Sequence, residues 1–260
     1  MGCKQRRLLF IIIAQTLFYV NLSAQDKGLL NGTLIITLTS NDTIWVGADS
    51  RTSALTEKGY TVNKNGMCKI YSTNDVVYAM AGHVRYVDNS FDFVKIMRSC
   101  IEEEQDFEKA MDLFEVKAKK EIQSILKKFS RKSINLLIKT NNGSFLSVVA
   151  ISFINGEKKM KEMRFSISPD KNNSWNVAYK ETGEMGVGSL RFVGHGANAS
   201  KFVRDNNLYF GNGRNIPGKI VDLIKLESTQ GTTTVGMPAD VISIYNNGYK
   251  RVITSGLCNN

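Results

Sequence analysis

Two residues at the ends of one short stretch have types that could do chemistry together. In NGTLIITLTSNDTIWVGADSR, from Asn31 to Arg51, Gly32 and Thr33 stand at one end and Asp49 near the other. With Ser40-Asn41-Asp42 as the loop, antiparallel pairing sets Thr39 opposite Thr43 and Thr33 opposite Asp49. Directly opposed residues lie about 5 Å apart. Alternation puts Leu34, Ile36, Leu38, Ile44, Val46 and Ala48 on one face and Thr33 and Asp49 on the other. A hydroxyl and a carboxylate then meet at the mouth of a hairpin, behind a glycine that permits close backbone approach. A threonine hydroxyl is a weak nucleophile and needs a nearby base. In a single hairpin the same pair also fits a β-forming residue and a strand-end cap.

The elements that must position these groups follow from pattern. Strand-like runs come first, at Leu34 to Thr39, Thr43 to Ala48, Lys69 to Ser72 and Val76 to Ala81, bounded by turn residues. The period then changes: Phe107, Met111, Phe114, Ala118, Ile122, Ile125 and Phe129 recur at helical spacing, with a shorter helix expected over Arg85 to Ile101. INLLIKT, SFLSVVAISFI, KEMRFSIS and WNVAYK read as strands. Two more helices are expected over Ala197 to Asp205 and Gly218 to Glu227, the second next to Pro217, and DVISIYNNGYKRVIT reads as a closing hairpin. Strands, helix pair, strands, helix pair, strands predicts one α+β domain of two stacked antiparallel sheets with helix pairs outside.

GT, ADSR, the lysine of CKIYS and AMAG, taken together, resemble the N-terminal half of a β-type proteasome subunit over about Gly32 to Gly82. These are N-terminal nucleophile (Ntn) hydrolases of the threonine peptidase type. In them the mature chain begins at a threonine released by cleavage after a glycine, with an acid sixteen positions on, as Asp49 is from Thr33. The resemblance implies a four-layer αββα sandwich, the Ntn-hydrolase fold. It implies autocleavage between Gly32 and Thr33, Thr33 as nucleophile, Asp49 orienting Lys69, and an oxyanion N–H from Gly82. Ser189 of GVGS resembles a serine that hydrogen-bonds near the terminal amine, and Arg51 and Glu227 are possible supports. Lys64 competes with Lys69, because the stretch from Arg51 to Lys69 is longer than the family spacing.

The chemistry is coherent in physical terms. A free α-amine titrates near 7.7–8.0, so an N-terminal threonine can carry its own base. A lysine beside it would keep that amine neutral, and Asp49 would hold Lys69 charged. An internal Thr33 has no free amine, so the precursor is expected to be inactive and self-cleavage to be its first turnover. The second candidate terminus, Gly231-Thr232, would leave only 29 residues and has Gly248, not an acid, sixteen positions on. It is read as a loop.

Composition bounds the rest. The 260 residues suffice for one large domain with a buried core. Residues 1–24 have a basic start, an apolar run from Leu8 to Val20 and a small residue before Gln25, the layout of a cleaved secretory signal. Residues 25–32 would be a short propeptide and 33–260 the hydrolase domain. The signal carries three of the 34 basic residues and none of the 24 acids, leaving an excess of seven. No basic-aromatic interleaving accompanies that charge, so no nucleic-acid partner is expected. Neither a metal nor any other cofactor is expected: His83 and His195 lack ligand spacing and are read as structural or supporting. Cys68, Cys100 and Cys258 allow one disulfide at most. Cys68 is read as a neighbour of Lys69 rather than as a nucleophile, and no G-x-S-x-G supports a Ser-His-Asp hydrolase. The expected protein is exported, periplasmic or secreted, and cleaves peptide or small amide substrates. It has no ATPase partner and is a possible homo-oligomer. A noncatalytic binding or assembly module and a small-molecule amidase of the same fold are the alternatives.

Overall fold

A computed structural model describes residues 29–32, 34–56, 59–86, 91–170, 174–182, 185–208, 210, 215–230, 234–254 and 258. The expected signal over 1–24, positions 25–28 and Thr33 lie outside the described residues. The described chain opens with strands β1 (Leu29–Gly32), β2 (Leu34–Thr39), β3 (Thr43–Asp49), β4 (Arg51–Thr56), β5 (Gly59–Asn65), β6 (Ile70–Thr73) and β7 (Val76–Tyr86). Helices α1 (Phe93–Glu103), α2 (Phe107–Lys128) and α3 (Arg131–Asn141) follow, then β8 (Ser144–Ile154), β9 (Glu157–Pro169), β10 (Trp175–Thr182) and β11 (Leu190–Gly194). Helices α4 (Ala197–Asp205) and α5 (Ile216–Thr229) and strands β12 (Ala239–Tyr245) and β13 (Gly248–Ile253) complete it.

The fold is α+β, with two antiparallel sheets. The larger runs β10-β9-β8-β7-β1-β4-β5, with β6 also on β7, and the smaller runs β11-β2-β3-β12-β13. Three cores account for the packing. Tyr78, Met80, Val148 and Phe165 of the larger sheet pack with Phe93, Phe114, Ile122 and Ile134 of α1 to α3. Ile35, Val46 and Ile242 of the smaller sheet meet Val77, Ala79, Val149 and Ile151 of the larger. Leu34, Ile36 and Leu38 pack with Ala199, Ile220, Leu223 and Ile224 of α4 and α5.

That packing corrects the hairpin register. The pairs are Ile35↔Ala48, Thr37↔Val46 and Thr39↔Ile44, one residue away from the expected alignment. Ser40 N–H bonds the Thr43 carbonyl at 2.8 Å, so the loop is Asn41-Asp42 alone. The slip divides the expected apolar face: Leu34, Ile36 and Leu38 point one way, and Ile44, Val46 and Ala48 the other. Because β2 is buried on both faces, apolar alternation could not fix its register.

Two further corrections are local. INLLIKT is helical, within α3, where Ser130 Oγ accepts the Ser133 N–H at 3.2 Å and Asn142 ends the helix in a left-handed conformation. Ile134, Leu137 and Ile138 recur at helical spacing, and tertiary packing overrides the β preference of the branched residues. The helix expected from Arg85 begins at Phe93, where Asp92 Oδ1 accepts the Val94 N–H at 2.9 Å, while Arg85 and Tyr86 belong to β7. β1, β4, β5 and β11 were not among the expected strands.

Candidate active site

Asp49 ends β3 with its side chain completely shut off from solvent. Its Oδ1 accepts the Leu34 N–H at 3.0 Å and the Lys69 ammonium at 2.8 Å. Its Oδ2 accepts the N–H groups of Arg51 at 3.1 Å and Gly236 at 3.0 Å. One carboxylate thus ties the starts of β2 and β4, the residue before β6 and the approach to β12. Lys69 also donates to the Arg51 carbonyl. Its ammonium is pushed below the usual lysine range, first by burial; the Asp49 charge and hydrogen bond oppose this and the Arg51 charge adds to it. Lys64 lies in β5, and its side chain is outside the described residues.

Lys69 comes from residues 66–69, which have no regular structure, so other contacts fix it. The Ser50 carbonyl accepts the Gly66 N–H at 3.0 Å and the Met67 N–H at 2.9 Å. Tyr71 Oη donates to the Cys68 carbonyl at 2.7 Å, and Arg251 donates to the Ile70 carbonyl at 3.2 Å. A disulfide joins Cys68 to Cys258, bringing a residue 190 positions away to the neighbour of Lys69. Cys100 is a buried free thiol, pushed up to about 11 by desolvation.

Gly32 and Gly82 are ladder partners in β1 and β7. Gly82 has φ +94°, and a Cβ there would run into the Phe145 carbonyl, so glycine is required. Next to it, His83 is fully buried, 5.3 Å from the Phe145 ring, and its titration is pushed down to about 3 by desolvation and, secondarily, by His195. It is a neutral core imidazole at ordinary pH.

Ser189 is not part of this cluster. Its carbonyl accepts the Thr39 N–H at 3.1 Å, at the loop end of β2. Leu34 is five residues away along that strand, roughly 17 Å. The other end of β11 meets the site instead: Gly194 pairs with Leu34. Half-buried His195 follows, its titration lowered by burial, raised by the charges of Glu227 and Asp49, and lowered by Lys69. Glu227 is buried at the start of α4, where its carboxylate accepts the Ala199 N–H at 2.8 Å and Asn198 Nδ2 at 3.1 Å. Arg51 lies against Gly236, where a Cβ would collide with its guanidinium.

Gly236 is the site residue that sequence reasoning missed, and His195 was read only as structural or supporting. Gly236 lies in the stretch read only as a loop, and the glycines flanking His195 were the one available signal. Among the described residues no cluster of three His, Cys, Asp or Glu side chains could hold a metal ion, and no helix is long and apolar enough to cross a membrane. No protein-family model matches this chain, and the search of curated proteins returned no match.

Proposed function

We propose that the chain is a self-processing N-terminal threonine hydrolase, of the Ntn type, that cleaves peptide bonds. One observation carries the proposal. The four residues before Thr33 form β1, paired with β4 on one side and β7 on the other, so an extended peptide ending in Gly32 already lies in the larger sheet. Its last residue faces Gly82, and the residue after Thr33 donates its N–H to Asp49. The bond to be cut is thus flanked by an extended peptide on one side and by the buried Asp49–Lys69 pair on the other.

In the mechanism, Thr33 Oγ attacks the Gly32 carbonyl carbon, and Gly82 offers its N–H to the oxyanion. Release of the chain before Thr33 frees an α-amine, which then serves as base for later substrates. Residues leaving β1 open a slot between β4 and β7, a place for an extended peptide to add as a strand. That slot favours peptides over small amides. The three cores support a four-layer αββα arrangement. The Cys68–Cys258 disulfide supports export, because such bonds persist in oxidising compartments.

The test compares wild type with Thr33→Ala on a panel of extended peptides. Wild type is expected to hydrolyse some of them while the variant keeps residues 25–32 and hydrolyses none. A Thr33→Ala chain as active as wild type contradicts the proposal.

A further inference from the structure

Helices α4 and α5 pack on the smaller sheet and leave a cavity of about 450 Å³. That is within the range of small-molecule sites, roughly 300–1,000 Å³. Phe202 of α4, Leu208 and Phe210 beyond it, and Leu223 and Leu226 of α5 supply its apolar walls. Phe210 and Leu223 are buried and belong to the core under the two helices. Phe202 and Leu208 are instead 42% and 40% exposed, so the chain's own packing leaves this apolar surface uncovered.

Two charged side chains complete the lining. Lys219 and Asp222 stand three residues apart on α5, neighbours on one helix face with Cβ atoms about 5–6 Å apart. The Lys219 ammonium lies over the buried Phe210 ring, 5.5 Å from its centre. Among the described residues neither side chain has an ion pair. A lysine stem that merely covers apolar surface is common. Here it leaves Phe202 and Leu208 bare and holds its charge at the edge of the cavity they line.

We propose that this cavity binds a short apolar zwitterion, a free dipeptide of the leucine or phenylalanine type. Its carboxylate pairs with Lys219, its ammonium with Asp222, and its side chains fill the space among Phe202, Leu208 and Leu226. Charge decides the class. A fatty acid would bring its carboxylate to Lys219 and meet repulsion from Asp222. An alkylamine would do the reverse. A ligand carrying both charges makes two favourable pairings and no repulsive one. Its length also fits: the ends of a dipeptide are at most about 7 Å apart, a span that Lys219 and Asp222 bracket. The inference stands apart from the hydrolase proposal, although short peptides are what a peptide hydrolase releases.

The experiment titrates Leu-Leu into the full chain carrying Thr33→Ala, so that no turnover accompanies binding, and reads the heat. Saturable binding at one site is expected. N-acetyl-Leu-Leu, which lacks the ammonium, and Leu-Leu amide, which lacks the carboxylate, are each expected to bind about tenfold or more weakly. Lys219→Met is expected to bind Leu-Leu and its amide alike, and Asp222→Asn to bind Leu-Leu and its acetylated form alike. Where a variant fails to fold, the two modified dipeptides on the parent chain decide. Equal binding of all three peptides overturns the inference. So does unaltered binding in both variants, which places the dipeptide elsewhere, or no saturable binding up to about 10 mM. Self-association that Phe202→Glu abolishes, without dipeptide binding, would assign the cavity to a second copy of the chain and overturn it as well.

Discussion

The Lys69 ammonium lies 2.8 Å from Asp49 Oδ1, with the two side chains 6% and 0% exposed. Removing one partner strands the other in a desolvated site. Asp49→Ala or Lys69→Met is expected to lower unfolding free energy by about 3–5 kcal/mol, measured by urea denaturation. Removing both is expected to cost less than the sum of the single changes, because they share one interaction. Additive losses would show that the pair is not coupled.

His83 gives the protein an acid weakness. Its titration is pushed from the ordinary 6.5 down to about 3 in the folded chain. Below pH 6.5 the unfolded chain takes up a proton that the folded chain refuses, so stability falls as pH drops towards 3. The full loss is about 5 kcal/mol. His83→Gln is expected to flatten the fall in urea midpoint between pH 7 and 4. A parallel fall in variant and wild type would place the acid sensitivity elsewhere.

The Cys68–Cys258 bond closes a loop spanning 190 positions. On the chain-entropy account such a closure is worth about 5 kcal/mol. Reductant is expected to lower the thermal midpoint and to raise the mass by two hydrogens. The buried Cys100 thiol should resist alkylation until the chain unfolds. An unchanged midpoint on full reduction would remove the disulfide from the account of how Lys69 is held.

A peptide matching β1 should compete for its slot. Once Thr33 is the N-terminus, a peptide containing Leu-Leu-Asn-Gly is expected to inhibit hydrolysis competitively, raising KM with kcat unchanged. Inhibition that lowers kcat alone would argue against the slot between β4 and β7 as the substrate groove.

Particular elements explain what the sequence disclosed. α2 was legible because one long apolar stripe has no other use. Asp49 and Lys69 were legible as a pair, since the resemblance named both. The hairpin register was not, because β2 is apolar on both faces and a one-residue slip leaves no polar mismatch to forbid it. Ser189 and His195 flank one strand, β11, and only its direction against β2 decides which of its ends lies beside Leu34. That pairing joins segments about 150 residues apart and has no local signature. The disulfide is equally nonlocal.

The most direct test of the central claim is the intact mass and N-terminal sequence of the purified wild-type protein, followed over time. A chain beginning at Thr33 is the predicted result, with the Thr33→Ala chain retaining residues 25–32. A wild-type chain that keeps those residues indefinitely would leave Thr33 without its amine and contradict the hydrolase account.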